Sequence, residues 1–105
     1  MIADAEECPP APIPDGALFR DILIVNRKGL HARASAKFVQ TVERFDAAVT
    51  VTRCGETVGG RSIMGLLTLG AAKGTTITVT ALGDDAAESL AAIAELIESR
   101  FGEEE

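Results

Sequence analysis

Apolar positions recur along the chain with two different periods, and the places where the period changes mark the elements. Residues 22–25 are a short unbroken apolar run, Ile22-Leu23-Ile24-Val25, which predicts a buried strand. From Ala34 the spacing becomes helical: Ala34, Phe38, Val42 and Phe45, with Val39 beside them, fall on one side. Lys37, Gln40, Glu43 and Arg44 fall on the other, so an amphipathic helix is predicted over 34–45. Residues 48–53 alternate apolar and polar as a half-buried strand does. Cys54-Gly55 supplies a turn, and residues 56–59 return as the second arm of a hairpin. Ser62 is a good N-cap for a short helix running to residue 72, with Ile63, Leu66, Leu67 and Gly70 on one face. Gly74 ends that segment, and residues 75–80 alternate again. Gly83-Asp84-Asp85 opens the last helix, where Asp85 and Glu88 have capping-box spacing. Ala86, Leu90, Ile93, Ile97 and Phe101 keep the helical period up to Gly102 and the terminal glutamates.

The predicted order is β-α-β-β-α-β-α. Thr50, Thr52, Thr76, Thr78 and Thr80 form one polar sheet face, and Val49, Val51, Ile77 and Val79 the apolar one. A sheet that is apolar on one side carries its helices on that side. The expected fold is therefore α+β, a two-layer open-faced sandwich with three helices on one face of a four-stranded antiparallel sheet. Residues 1–19 hold all four prolines and show no periodicity. They are expected to be an extended, poorly ordered acidic arm before a domain at residues 20–105.

Composition narrows the function classes. A chain of 105 residues, 47% of them hydrophobic, makes one domain with one modest core. No apolar run approaches the roughly 20 residues that cross a bilayer. The first seven residues lack the charged and apolar regions of a secretory signal, so the chain is expected to be cytoplasmic. Cys8 and Cys54 make neither a disulfide framework nor a metal pair, and free thiols are expected. The net charge of −6 argues against general nucleic-acid binding. Residues 20–61, however, hold eight basic and four acidic side chains, a local basic excess suited to acidic partners or phosphate groups.

That excess surrounds the only histidine. His31 stands where the first strand gives way to the first helix, after Arg27, Lys28 and Gly29 and two residues before Arg33. Backbone N–H groups at a helix start are unpaired, and the macrodipole places about half a positive charge there. Such a place favours the neutral, nucleophilic imidazole and suits a phosphoryl group once one is attached. Arg33 can add charge-assisted hydrogen bonds to phosphate oxygens, and His31 can hold the group as a covalent intermediate. No second histidine or cysteine pair lies nearby in sequence to complete a metal site or a hydrolytic triad, so no metal or cofactor is expected.

Gly29-Leu30-His31-Ala32-Arg33 resembles the active-site signature of the HPr family, the histidine-containing phosphocarriers of the phosphoenolpyruvate-dependent phosphotransferase system. Residues 60–70, Gly-Arg-Ser-Ile-Met-Gly-Leu-Leu-Thr-Leu-Gly, resemble its second signature, around a regulatory serine. The resemblance covers residues 20–102. One departure is Ala34, where the family usually has a proline that pre-sets the first helical turn. The long N-terminal arm has no counterpart in typical members.

The resemblance implies that His31 accepts a phosphoryl group on Nδ1 from enzyme I and passes it to an enzyme IIA, with Arg33 steadying the group. The protein would then be a stoichiometric carrier within a transferase relay rather than an enzyme acting alone, and a monomer is expected. Ser62 would be the target of an HPr kinase/phosphorylase as well as a helix cap. Met64 and Leu67 are read as an exposed apolar docking patch. The resemblance adds Leu30, Ala32, Arg61 and Ile63 to the surface that meets partners. Sugar uptake and nitrogen-related regulation share this chemistry, and the sequence does not separate them. A different kind of carrier is the alternative: Glu88-Ser89-Leu90 on an acidic helix resembles the phosphopantetheine site of acyl carrier proteins, although those are all-helical.

Overall fold

The computed structural model describes residues 8–103. Four strands and three helices follow in the predicted order: β1 (Leu18–Leu23), α1 (Ala32–Val42), β2 (Ala48–Arg53), β3 (Glu56–Gly59), α2 (Ile63–Thr68), β4 (Thr76–Leu82) and α3 (Ala86–Glu98). A short 3-10 turn, Arg100–Gly102, comes after α3. The strands form one open antiparallel sheet in the order β1-β4-β2-β3.

Alternation sets which side of each strand is buried. Val51 lies opposite Val79, and Val49 opposite Ala81, and all four are buried against the helices. Phe38 and Val42 of α1, Leu66 of α2, and Ile93 and Ile97 of α3 complete this core. Burying each such large side chain contributes about 1.5–3 kcal/mol over leaving it exposed. The threonines take the other face and bond across strands, Thr50 to Thr80 at 2.5 Å and Thr52 to Thr57 at 2.8 Å. Among the described residues, no helix is long and apolar enough to cross a membrane.

Several boundaries differ from the sequence expectation. β1 begins at Leu18, inside the segment read as the arm, because Leu18 and Phe19 pair with Ala81 and Thr80 of the central strand β4. α1 starts two residues earlier than its apolar stripe and ends at Val42. α2 stops at Thr68 rather than residue 72, and Gly70 leaves it in a left-handed conformation at φ 62°. The capping box does not form as predicted. The Asp85 carboxylate accepts from the backbone N–H of Asp46 at 2.7 Å and does not bond its own helix.

The expectation of free thiols is overturned. Cys8 and Cys54 form a disulfide, their Cα atoms 4.5 Å apart across a sequence separation of 46. The arm folds back toward the β2–β3 turn, a placement that cysteine spacing could not reveal. Residues Pro9–Ala11 and Ile13 then line a groove with Phe19, Asp21, Thr52, Thr76 and Thr78 of the polar sheet face. Thr52 and Thr80 are buried although they belong to that face.

Candidate functional site

The loop from β1 to α1 is fixed at both ends before it presents its histidine. Ile24 continues the pairing past β1, its N–H donating to Thr75 O and its carbonyl accepting from Gly74 N. Asn26 is fully buried, and its Nδ2 donates to Gly29 O at 2.9 Å, which closes a tight turn. Gly29 lies at φ +66°, and a Cβ there would come within 2.9 Å of Ala72 Cα and closer still to Ala71 O. The next N–H, that of Leu30, donates to the same Ala71 oxygen at 2.9 Å. Gly29→Ala therefore meets both a left-handed backbone, costing about 1–2 kcal/mol, and a backbone collision. We expect a loss of at least about 2 kcal/mol in denaturant unfolding. An unfolding midpoint equal to the parent's would show that the loop rearranges freely.

His31 is the N-cap residue of α1 in extended backbone, yet its side chain makes no capping bond. The first intrahelical bond runs from Ser35 N to His31 O, so the N–H groups of Ala32, Arg33 and Ala34 have no helical acceptor. The ring is a quarter exposed, and its Nε2 lies 2.6 Å from Glu103 Oε2. The other carboxylate oxygen, Glu103 Oε1, accepts from Asn26 Nδ2 at 3.3 Å. Desolvation works to raise the Glu103 carboxyl. Hydrogen bonds from His31 and Asn26, with the charges of His31 and Lys28, outweigh it and hold the carboxyl below its ordinary value. An ionised carboxylate only accepts, so Nε2–H is the donor in this contact, and in the neutral ring that places the lone pair on Nδ1. Among the described residues, nothing bonds Nδ1.

Glu103 reaches the histidine because the tail is docked. Phe101 is buried in the core, and Lys37 Nζ of α1 donates to its carbonyl at 2.6 Å. Arg100, Phe101 and Gly102 all take positive φ, which turns the chain back over the start of α1. Sequence reading placed Phe101 on the helical stripe and gave the glutamates after it no role. The only signal for Glu103 was its place two residues beyond a core aromatic.

The other expected site residues are distributed as follows. Ala32 and Arg33 are exposed in the first turn of α1. The Arg61 guanidinium donates from Nη1 to Ala47 O and from Nη2 to Phe45 O, near the end of α1. Ser62 is exposed, and its Oγ accepts from Gly65 N at 2.9 Å, capping α2 as predicted. Met64 is 73% exposed, with Ile63 and Leu67 partly exposed beside it, and in α2 only Leu66 is buried. Leu30 must be corrected: it is buried in the core, because the Leu30–Ala71 bond turns its side chain inward, and it supports the loop from beneath. Ser89 is fully buried, with Oγ donating to Ala86 O, so the acyl-carrier alternative has no accessible attachment point. Among the described residues, no group of three or more His, Cys, Asp or Glu could hold a metal ion.

A family model described as "PTS HPr component phosphorylation site" matches residues 19–99, both signature segments included. The chain belongs to the HPr family. A phosphocarrier protein HPr of Neisseria meningitidis is 50% identical over 88 residues, 84% of this chain and 99% of that protein. A multiphosphoryl transfer protein of Salmonella typhimurium is 36% identical over 94 residues, 87% of this chain and 25% of its own length. The crystal structure of an HPr from Thermoanaerobacter tengcongensis, 42% identical, superposes with a TM-score of 0.80 over 84% of this chain and 99% of its own. The open-faced sandwich is thus the HPr fold, and this HPr-type chain is a phosphocarrier of the phosphotransferase system that takes part in a phosphotransferase relay. The family match begins at Phe19, so Cys8 and the proline-rich arm lie outside it.

Proposed function

We propose that the chain receives a phosphoryl group on Nδ1 of His31 from enzyme I and hands it to a histidine of an enzyme IIA. One observation carries this reading: His31 opens α1 with its Nε2 held by Glu103, which leaves Nδ1 without a partner among the described residues and, in the neutral ring, with the lone pair. That lone pair attacks phosphorus, the P–N bond to the donor histidine breaks, and the group moves without water. The unpaired N–H groups of the first turn and the exposed Arg33 lie where its charged oxygens arrive. Glu103 accepts a hydrogen bond from Nε2–H throughout, stays ionised, and offsets the positive charge that develops on the ring.

Arg33 makes a direct test of that charge stabilisation. Losing a charge-assisted contact worth about 1.5–3 kcal/mol in the transition state slows transfer roughly 10- to 150-fold. Arg33→Ala is expected to melt like the parent and to slow receipt and delivery by that factor. Transfer at the parental rate would reduce Arg33 to a surface charge.

The docking face in this reading is the exposed side of α2, Ile63, Met64 and Leu67, with Ala32 and Arg61 at its margin. Ser62, at the start of that helix, is the proposed target of an HPr kinase/phosphorylase. A phosphate there adds a charge of about −1.5 to −2 beside an apolar patch, while the helix N-terminus tolerates it. Ser62→Asp should keep a near-normal Tm and slow phosphorylation of His31 by enzyme I. Unchanged kinetics would leave Ser62 as a cap alone, and a collapsed Tm would locate the defect in folding. Which enzyme IIA accepts the group, one of sugar uptake or one of nitrogen regulation, is read by offering phosphorylated protein to each.

A further inference from the structure

The Cys8–Cys54 bridge joins two segments that the sheet itself does not connect. Cys54 is the first residue of the β2–β3 turn and holds a left-handed backbone at φ 50°, and both cysteines are exposed. Gly55, next to Cys54, faces the arm so closely that a Cβ there would lie 3.3 Å from the Pro9 ring. From Pro9 to Ile13 the arm runs along the polar sheet face, walling a groove of about 1160 Å³ with Phe19, Thr52 and Thr76 on its floor. The proline at each of positions 9, 10, 12 and 14 has no N–H, so this stretch cannot join a strand ladder. The bond at Cys8 is a covalent tie that holds this stretch over the sheet.

We propose that Cys8 and Cys54 are a reversible thiol–disulfide modification site, whose oxidised form straps the arm over the open sheet face and whose reduced form uncovers it. The co-reactant is a small or protein thiol. Its thiolate attacks one exposed sulfur, forming a mixed disulfide and expelling the other cysteine as a thiolate that takes up a proton. A second thiol then attacks the mixed disulfide and frees the first cysteine. Two protein thiols and one disulfide of the reductant result, with two electrons passed to the protein. Exposure of both cysteines gives the attacking thiolate its access. In a reducing compartment, bridges of this kind act as redox sensors rather than permanent staples. His31 and its partners lie on α1, the β1–α1 loop and the tail, and none of them lines the groove, so the strap addresses a second surface of the molecule.

The test poises the full chain in glutathione buffers of stepped thiol-to-disulfide ratio and counts protein thiols by the mass gained with a maleimide. We expect both cysteines to pass together between none and two free thiols. Amide resonances of Ala11, Ile13, Thr52, Gly55 and Thr76 should shift on reduction, while those of His31 and Ser62 stay in place. Opening a loop of this length should lower Tm by about 10 °C or more. Cys8→Ser and Cys54→Ser, neither of which touches the core, should each give the reduced spectrum in oxidising buffer. A bridge that stays closed in excess reduced glutathione would overturn the proposal. So would thiols that stay free in excess glutathione disulfide, or sheet-face amides that are the same in both states. None of these readouts requires phosphotransfer, so they stand or fall apart from the role given to His31.

Discussion

His31→Ala, incubated with enzyme I and phosphoenolpyruvate, is expected to gain no phosphoryl group, whereas the parent should gain one that is lost in acid and survives in base. The effect is all or none because His31 is the only imidazole in the chain and no neighbouring group can replace the Nδ1 lone pair. The variant should fold. The His31 side chain makes no capping bond to α1, and the backbone bond from Ser35 N to His31 O does not depend on it. What is lost is the hydrogen bond to Glu103, which is partly exposed and bonded to Asn26 as well. Intact-mass measurement decides the matter: a full phosphoryl increment in the variant would move the acceptor elsewhere.

The largest effect on stability is expected from Phe101→Ala. Phe101 is 1% exposed and is one of the two largest fully buried side chains, with Phe38. Truncating a buried phenylalanine costs about 3–5 kcal/mol. In a domain of this size that corresponds to a Tm lower by more than about 10 °C. The carbonyl of the same residue holds Lys37, and two residues later Glu103 holds His31. Glu103→Ala is the companion variant, since it breaks only the contact at the ring and should melt close to the parent. Equal melting of the two variants would mean that the aromatic ring contributes nothing beyond placing the tail.

What could be read from the sequence follows from how far each signal reaches. Periods of two and of about 3.6 are local, and they gave every strand and helix in order, including the Cys54-Gly55 turn and the Ser62 cap. The first four residues of β1 were missed because Leu18 to Asp21 lie on an edge strand, exposed on both faces, and show no alternation. Asp85 and Glu88 had the right spacing for a capping box, but a backbone N–H at Asp46, 39 residues away, took the carboxylate. At the candidate site, His31 and Arg33 were legible because a turn, a helix start and two basic residues sit side by side. Glu103 was not, because it arrives from 72 residues away through the burial of Phe101. Leu30 was placed on the partner-meeting surface by the family resemblance, whereas its side chain is buried where its own N–H bonds Ala71 O. The disulfide was missed for the same reason as Glu103: two distant residues meet only once the whole sheet exists.

The strand order also constrains how the protein is made. β1 has a single neighbour in the sheet, β4, which begins 53 residues after it, and β2 joins the sheet through β4 as well. At about 5–20 residues per second, several seconds separate the emergence of Leu23 from that of Leu82 at the ribosome. Over that interval β1 has no strand to pair with, and only the hairpin of β2 and β3 can form. The His31 loop, anchored by Ile24 to Thr75 and by Leu30 to Ala71, therefore takes its final shape only after both anchoring residues have been synthesised. A nascent chain halted anywhere before β4 would carry its histidine on an unpaired, unshaped segment, and the loop around His31 would form only once β4 has been made.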